Sequence, residues 1–143
     1  MITLEEFPKH LQSIPKEDWS KLFSLLDEIK TDTHFGEFII PETLPDDSNQ
    51  FPFYNWSPVV SRFVDLVYEL EIIVNFNWSG WYEGKALLEN PKTYYERLDI
   101  VTLCKLLTVI VRADRFSEGT LVGSFENGII QKIIKSIRLE IAR

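Results

Sequence analysis

Asp99-Ile100-Val101-Thr102-Leu103-Cys104-Lys105-Leu106-Leu107-Thr108-Val109-Ile110-Val111-Arg112 decides the fold. Only Thr102, Lys105 and Thr108 interrupt the apolar run. It has no Gly or Pro, it is too long for an ordinary strand, and Asp99 is a good N-cap. A helix that is apolar on nearly every face belongs at the centre of a bundle. This segment is therefore the expected core helix.

The flanking segments read as its neighbours. Thr3-Leu4-Glu5-Glu6 has the form of a capping box, in which a hydroxyl and a carboxylate satisfy each other's backbone N–H groups. It predicts a short helix to about Leu11. Pro15 suits a first helical position. Trp19, Leu22, Phe23, Leu26 and Ile29 follow at spacings of three and four, the stripe of an amphipathic helix ending near Lys30. Ser57-Pro58 opens another helix, with Val60, Phe63, Val64 and Val67 inward, to about Glu71. Ile72-Ile73-Val74 either extends it or turns into the next loop. A helix from Asn77 or Ser79 runs through Trp81, Leu87 and Leu88, and a short one covers Pro91 to Arg97. Glu118 to Glu126 ends at Asn127-Gly128, a C-terminal stop. The last helix carries Ile129, Ile133, Ile137 and Ile141 in one row, with Ile130 and Ile134 beside it. Between residues 31 and 57 no helical period is present, and Phe38-Ile39-Ile40 and Phe51-Pro52-Phe53-Tyr54 read as extended segments. The expected fold is mainly α, a single-domain bundle of about six or seven helices with a short extended pair near residues 37–54.

Length and composition agree. The 143 residues suit one domain over 1–143, 45% of them hydrophobic, enough to bury a core without disulfides. The lone Cys104 sits in the apolar run and reads as an inert core residue. The start, Met1-Ile2-Thr3-Leu4-Glu5-Glu6, lacks the basic and apolar stretches of a signal peptide, and no run of about 18 apolar residues spans a membrane. The expected location is cytoplasmic. The net charge of −7 is carried by residues 1–56, with eleven acids and four bases, while residues 57–143 hold eleven of each. That balance argues against nonspecific nucleic-acid binding, which needs many cations. It suits a solvated surface or a face for a basic partner.

Candidate chemistry is sparse. The sequence has no phosphate-binding glycine loop, no H-E-x-x-H and no Cys or His pairs at metal spacing; His10 and His34 stand apart. No catalytic residue, metal or cofactor is expected. Gly80 and Gly84, and Gly119 and Gly123, are four apart, as in close helix contacts. The final helix has a basic outer face of Lys132, Lys135 and Arg138, an alternative nucleic-acid or acidic-partner surface.

The densest constellation is Arg112-Ala113-Asp114-Arg115-Phe116-Ser117-Glu118-Gly119, where the core helix ends. One reading is a salt-bridged corner, with Asp114 and Glu118 pairing the arginines and Phe116 in the core. The other is a ligand pocket. There Arg112 and Arg115, with Glu118 beside them, grip a carboxylate or phosphate, and Trp78, Trp81 or Tyr82 forms an aromatic wall.

Tyr54-Asn55-Trp56-Ser57-Pro58, Phe76-Asn77-Trp78-Ser79-Gly80-Trp81, the run from Lys105-Leu106-Leu107-Thr108 through Arg112, Asp114-Arg115-Phe116 and Glu118-Gly119, and Phe125-Glu126-Asn127-Gly128-Ile129-Ile130 together resemble a bacterial domain family of unknown function. The resemblance covers about Tyr54 to Ile137, leaving the acidic N-terminal helices and long loop of residues 1–56 largely outside the helical body of 57–143. It implies bacterial or phage origin and supplies no activity. The functional expectation is a non-enzymatic protein-interaction or regulatory protein, one version being an inhibitor in phage–host defence. Its partner is another protein, or a second copy of the chain. The alternative is a small-ligand or nucleotide-binding protein, or an enzyme, built on the Arg/Glu/Trp pocket.

Overall fold

Asp99 does cap the central helix, α5 (Ile100–Ala113): its Oδ1 accepts the Thr102 N–H at 2.8 Å. The structure, a computed structural model, describes residues 2–40 and 53–143. Expectations that fall on residues 41–52, including the acidic stretch around Asp46 and Asp47 and the start of Phe51-Pro52-Phe53-Tyr54, lie outside the described residues. The other helices are α1 (Phe7–Ser13), α2 (Lys16–Thr31), α3 (Pro58–Glu69), α4 (Tyr82–Glu89), α6 (Thr120–Glu126) and α7 (Ile129–Ala142). Short 3₁₀ turns cover Trp78–Gly80 and Tyr95–Arg97. Strands β1 (Gly36–Ile39) and β2 (Phe53–Trp56) pair antiparallel, with Gly36 opposite Trp56 and Ile39 opposite Phe53. The fold is thus mainly α with a short extended pair.

α5 packs against α1, α4, α6 and α7, and α2 lies between α3 and α7. Leu103, Cys104, Leu106, Leu107 and Thr108 of α5 are inaccessible to solvent. Burial pushes the Cys104 thiol far above its ordinary value of 9.0, and the Asp99 carboxylate adds to that shift. The thiolate is therefore suppressed, as befits a packing residue. No helix among the described residues is long and apolar enough to cross a membrane.

Several local expectations change. Thr3 does not cap α1. Its hydroxyl donates to Glu6 Oε1 at 2.8 Å, and α1 starts only at Phe7. Thr3 instead forms an isolated parallel bridge with Asn75, whose N–H donates to Ile2 O at 2.9 Å, and a turn over Leu4, Glu5 and Glu6 leads into the helix. Pro15 is the N-cap of α2 rather than its first residue. On α2 the inward stripe takes Leu25, and Phe23 is half-buried, stacked on Trp19 at 6.1 Å. The buried row of α7 is Ile130, Ile133, Ile134 and Ile137, with Ile129 and Ile141 at its margins.

Ile72-Ile73-Val74 neither extends α3 nor forms a surface loop. All three are buried in an irregular passage through the core. α3 is closed by a Schellman motif: Ile72 N–H donates to Val67 O at 3.0 Å and Glu71 N–H to Tyr68 O at 3.1 Å. His10 on α1 adds a bond from its Nε2 to Leu70 O at 2.9 Å. The motif needs a left-handed residue, and here that residue is Glu71, at φ 55°. A side chain there costs roughly 1–2 kcal/mol, part of which a glycine returns as unfolded-state entropy. Glu71→Gly is expected to raise unfolding stability by about 0.5–1 kcal/mol in a urea titration. A loss of stability in that variant would show that the Glu71 side chain is needed.

Candidate functional site

The candidate site is assembled where the buried passage emerges beside the end of α5. Val74, Asn75, Phe76 and Trp78 supply one wall of a 420 Å³ cleft; Arg112, Arg115 and Phe116 supply the other. Arg112 is in the last turn of α5 and Arg115 in the turn just beyond its end. Both meet Tyr68 of α3: Arg112 sits 5.8 Å from its ring centre, and Arg115 Nη2 lies 3.4 Å from its hydroxyl.

The turn after α5 is organised by Asp114. Its Oδ1 accepts the N–H groups of Gly119 at 3.2 Å and Leu121 at 3.0 Å, satisfying donors at the start of α6. Asp114 therefore serves the backbone rather than the arginines, which corrects the salt-bridged corner. Glu118 is exposed, and among the described residues neither it nor Arg115 has an ion-pair partner. Gly119 is required twice over: its φ is 97°, and a Cβ there would meet the Tyr54 ring at 3.0 Å. The tight turn pushes Phe116 outward. It is 82% exposed, not in the core, and its ring lies 6.0 Å from that of Trp78.

The structure brings together some of the residues named for the pocket and not others. Arg112, Arg115 and Trp78 come together at the cleft; Trp81, Tyr82 and Glu118 do not line it. Trp81 supports the wall from behind. It packs edge-on to Phe76 at 5.7 Å, lies across Gly84, where a Cβ would be 2.2 Å from its ring, and takes the Lys105 ammonium over its face at 4.1 Å. Lys105 also lies 5.0 Å from the Phe76 ring. This cation lets a mid-α5 lysine cover two aromatic rings at the edge of the core. Gly84 thus makes room for a ring and Gly80 for the Asn77 side chain, rather than for a helix contact. Tyr82 is 78% exposed on α4. Sequence reasoning missed Phe76, Phe116 and Tyr68 as site residues; the only signal for the first two was their place beside Trp78 and Arg115.

The histidines are apart, His10 against Leu70 O and His34 3.6 Å from Glu37. Among the described residues no group of three or more His, Cys, Asp or Glu is gathered as a metal site.

A family model describing a family of unknown function, DUF6508, matches residues 14–142. The chain belongs to DUF6508. The match begins well before Tyr54, so it takes in α2 and the sheet as well as the helical body. No curated protein matches the chain, and no solved structure does.

Asp114→Ala removes both acceptor bonds at the start of α6 and is expected to cost about 1–2 kcal/mol in a urea titration. Asp114→Asn, which keeps one acceptor oxygen, is expected to lose less. Equal stability of wild type and the alanine variant would show that the turn does not depend on this side chain.

Proposed function

We propose that this DUF6508 chain is a non-catalytic interaction module that docks a partner protein at the cleft between Trp78 and Phe116. The observation that carries the reading is Phe116, 82% exposed and held against Trp78. Leaving a Phe in water forgoes roughly 1.5–3 kcal/mol of burial. The fold gains nothing from that exposure, and a partner recovers it. Trp, Phe and Arg are also the residue types over-represented at interface centres. Arg115 supports the same face: its neighbour is the neutral Tyr68 hydroxyl, so a carboxylate from a partner meets no competing acid from Asp114 or Glu118. The partner chemistry is therefore a segment with an apolar side chain beside an acidic one. A cytoplasmic regulatory role in bacteria or phage, including inhibition in phage–host defence, belongs to this proposal.

A second reading rests on the cleft itself. Its 420 Å³ falls within the roughly 300–1,000 Å³ of small-molecule sites, with two arginines in one wall. It predicts a carboxylate- or phosphate-bearing ligand of a few hundred daltons.

Native mass spectrometry of the protein gently purified from bacterial lysate separates the two. A bound protein or second copy, lost in both Phe116→Ala and Arg115→Glu without a change in Tm, is the expected result. A small adduct lost in Arg115→Ala but kept in Phe116→Ala moves the assignment to the ligand pocket. A partner retained by both variants removes this face from consideration.

A further inference from the structure

Lys105, in the middle of α5, meets two aromatic rings and no acid. Its ammonium lies 4.1 Å from the Trp81 ring centre and 5.0 Å from that of Phe76. The two rings stand edge-on at 75° with centres 5.7 Å apart, so they form a steep corner that the cation shares. Among the described residues Lys105 has no ion-pair partner.

Both walls of the corner are fixed from behind. A Cβ on Gly84 would fall 2.2 Å from the Trp81 ring, so the ring lies where only a glycine leaves room. Phe76 follows the buried Ile72-Ile73-Val74 passage, whose Val74 N–H is held by Thr108 Oγ1 at 3.1 Å. Lys105 is held differently. Its charge sits on a flexible four-carbon stem, which can swing into water while the rings stay in place. Phe76, Trp81 and Lys105 are each half-buried, so the corner reaches the surface.

The class of ligand follows from the competition with Lys105. Ring faces attract a cation but offer it no ordinary hydrogen-bond acceptor. A primary ammonium from solution gives up its bonds to water there, and it competes with a tethered copy of itself at high effective concentration. A quaternary ammonium has no N–H to leave unpaired, and its methyl groups bury apolar area on the rings. It is the kind of cation able to displace the lysine. The contact it has to break is worth about twofold to thirtyfold in an equilibrium.

We propose that the Phe76–Trp81 corner binds a quaternary ammonium group, with Lys105 as its built-in competitor. The lysine fills the corner when no ligand is present and keeps the rings from facing water.

The test is an NMR titration of the full chain with choline, following the Trp81 indole N–H. Saturable binding is expected, tightened about twofold to thirtyfold in Lys105→Met, which keeps the bulk of the stem and removes the competing charge. The neutral analogue of choline, with carbon in place of the nitrogen, is expected to bind at least about threefold more weakly. Trp81→Phe, which keeps a smaller ring, is expected to weaken choline binding. N-acetyl-trimethyllysine amide is titrated alongside: tighter binding than choline assigns the site to a methylated protein, weaker binding to a small metabolite. Lys105→Gln repeats the measurement if the methionine variant fails to fold. Equal binding of choline and its neutral analogue would overturn the proposal. So would unchanged binding in Trp81→Phe, or the lack of a saturable shift in wild type and the folded Lys105 variant alike.

Discussion

The Val74 N–H lies in the middle of the core with no helix or sheet to satisfy it, and the Thr108 hydroxyl meets it at 3.1 Å. Thr108 in turn donates to Cys104 O at 2.9 Å, so a single buried oxygen joins α5 to the passage that crosses it. A buried N–H left unpaired costs about 1–3 kcal/mol. That sets the depth and register at which Ile72-Ile73-Val74 runs. Asn75 N–H then reaches Ile2 O and ties down the N-terminal end. Phe76 and Trp78 surface beside the last turn of α5, one turn on from Thr108 to Arg112. The cleft is thus the place where a buried segment leaves the core next to a helix end.

Electrostatics follow from the same geometry. The C-terminal end of α5 favours cations, and Arg112 and Arg115 supply them. Asp114 is engaged with the backbone of Gly119 and Leu121 rather than with Arg115. Behind the wall, the Lys105 ammonium lies over the Trp81 and Phe76 rings. An outward Phe116, a cation-rich helix end and a braced aromatic wall are together what the proposed docking of an apolar and acidic segment rests on.

What was legible in the sequence was local. Asp99 before an apolar run, Pro58 in the first position of α3 and Gly128 before α7 each mark a helix end by chemistry acting within a few residues, although the Ser57 hydroxyl makes no cap bond. The central place of α5 followed from its composition, and the arginine pair from its spacing. What was not legible depended on distant partners. Leu25 faces inward and Phe23 lies at the margin because of how α2 meets α3 and α7. Thr3 bonds Glu6 because the chain around it is drawn into a bridge with Asn75. Phe116 points outward because Asp114 and Gly119 fix a tight turn, which hydrophobicity alone does not reveal. Trp81 was grouped with Trp78 by adjacency, yet the 3₁₀ turn between them sends one ring to the cleft and the other over Gly84.

Native-state hydrogen exchange of the Val74 amide tests the central constraint most directly. With the Thr108 bond in place, Val74 is predicted to exchange only through global unfolding, as slowly as the amides of Leu106 and Leu107 in α5. Exchange as fast as that of exposed turn residues would mean that the passage is not fixed in the core. The wall of Phe76 and Trp78 would then lose its anchor, and the proposed interaction face its basis.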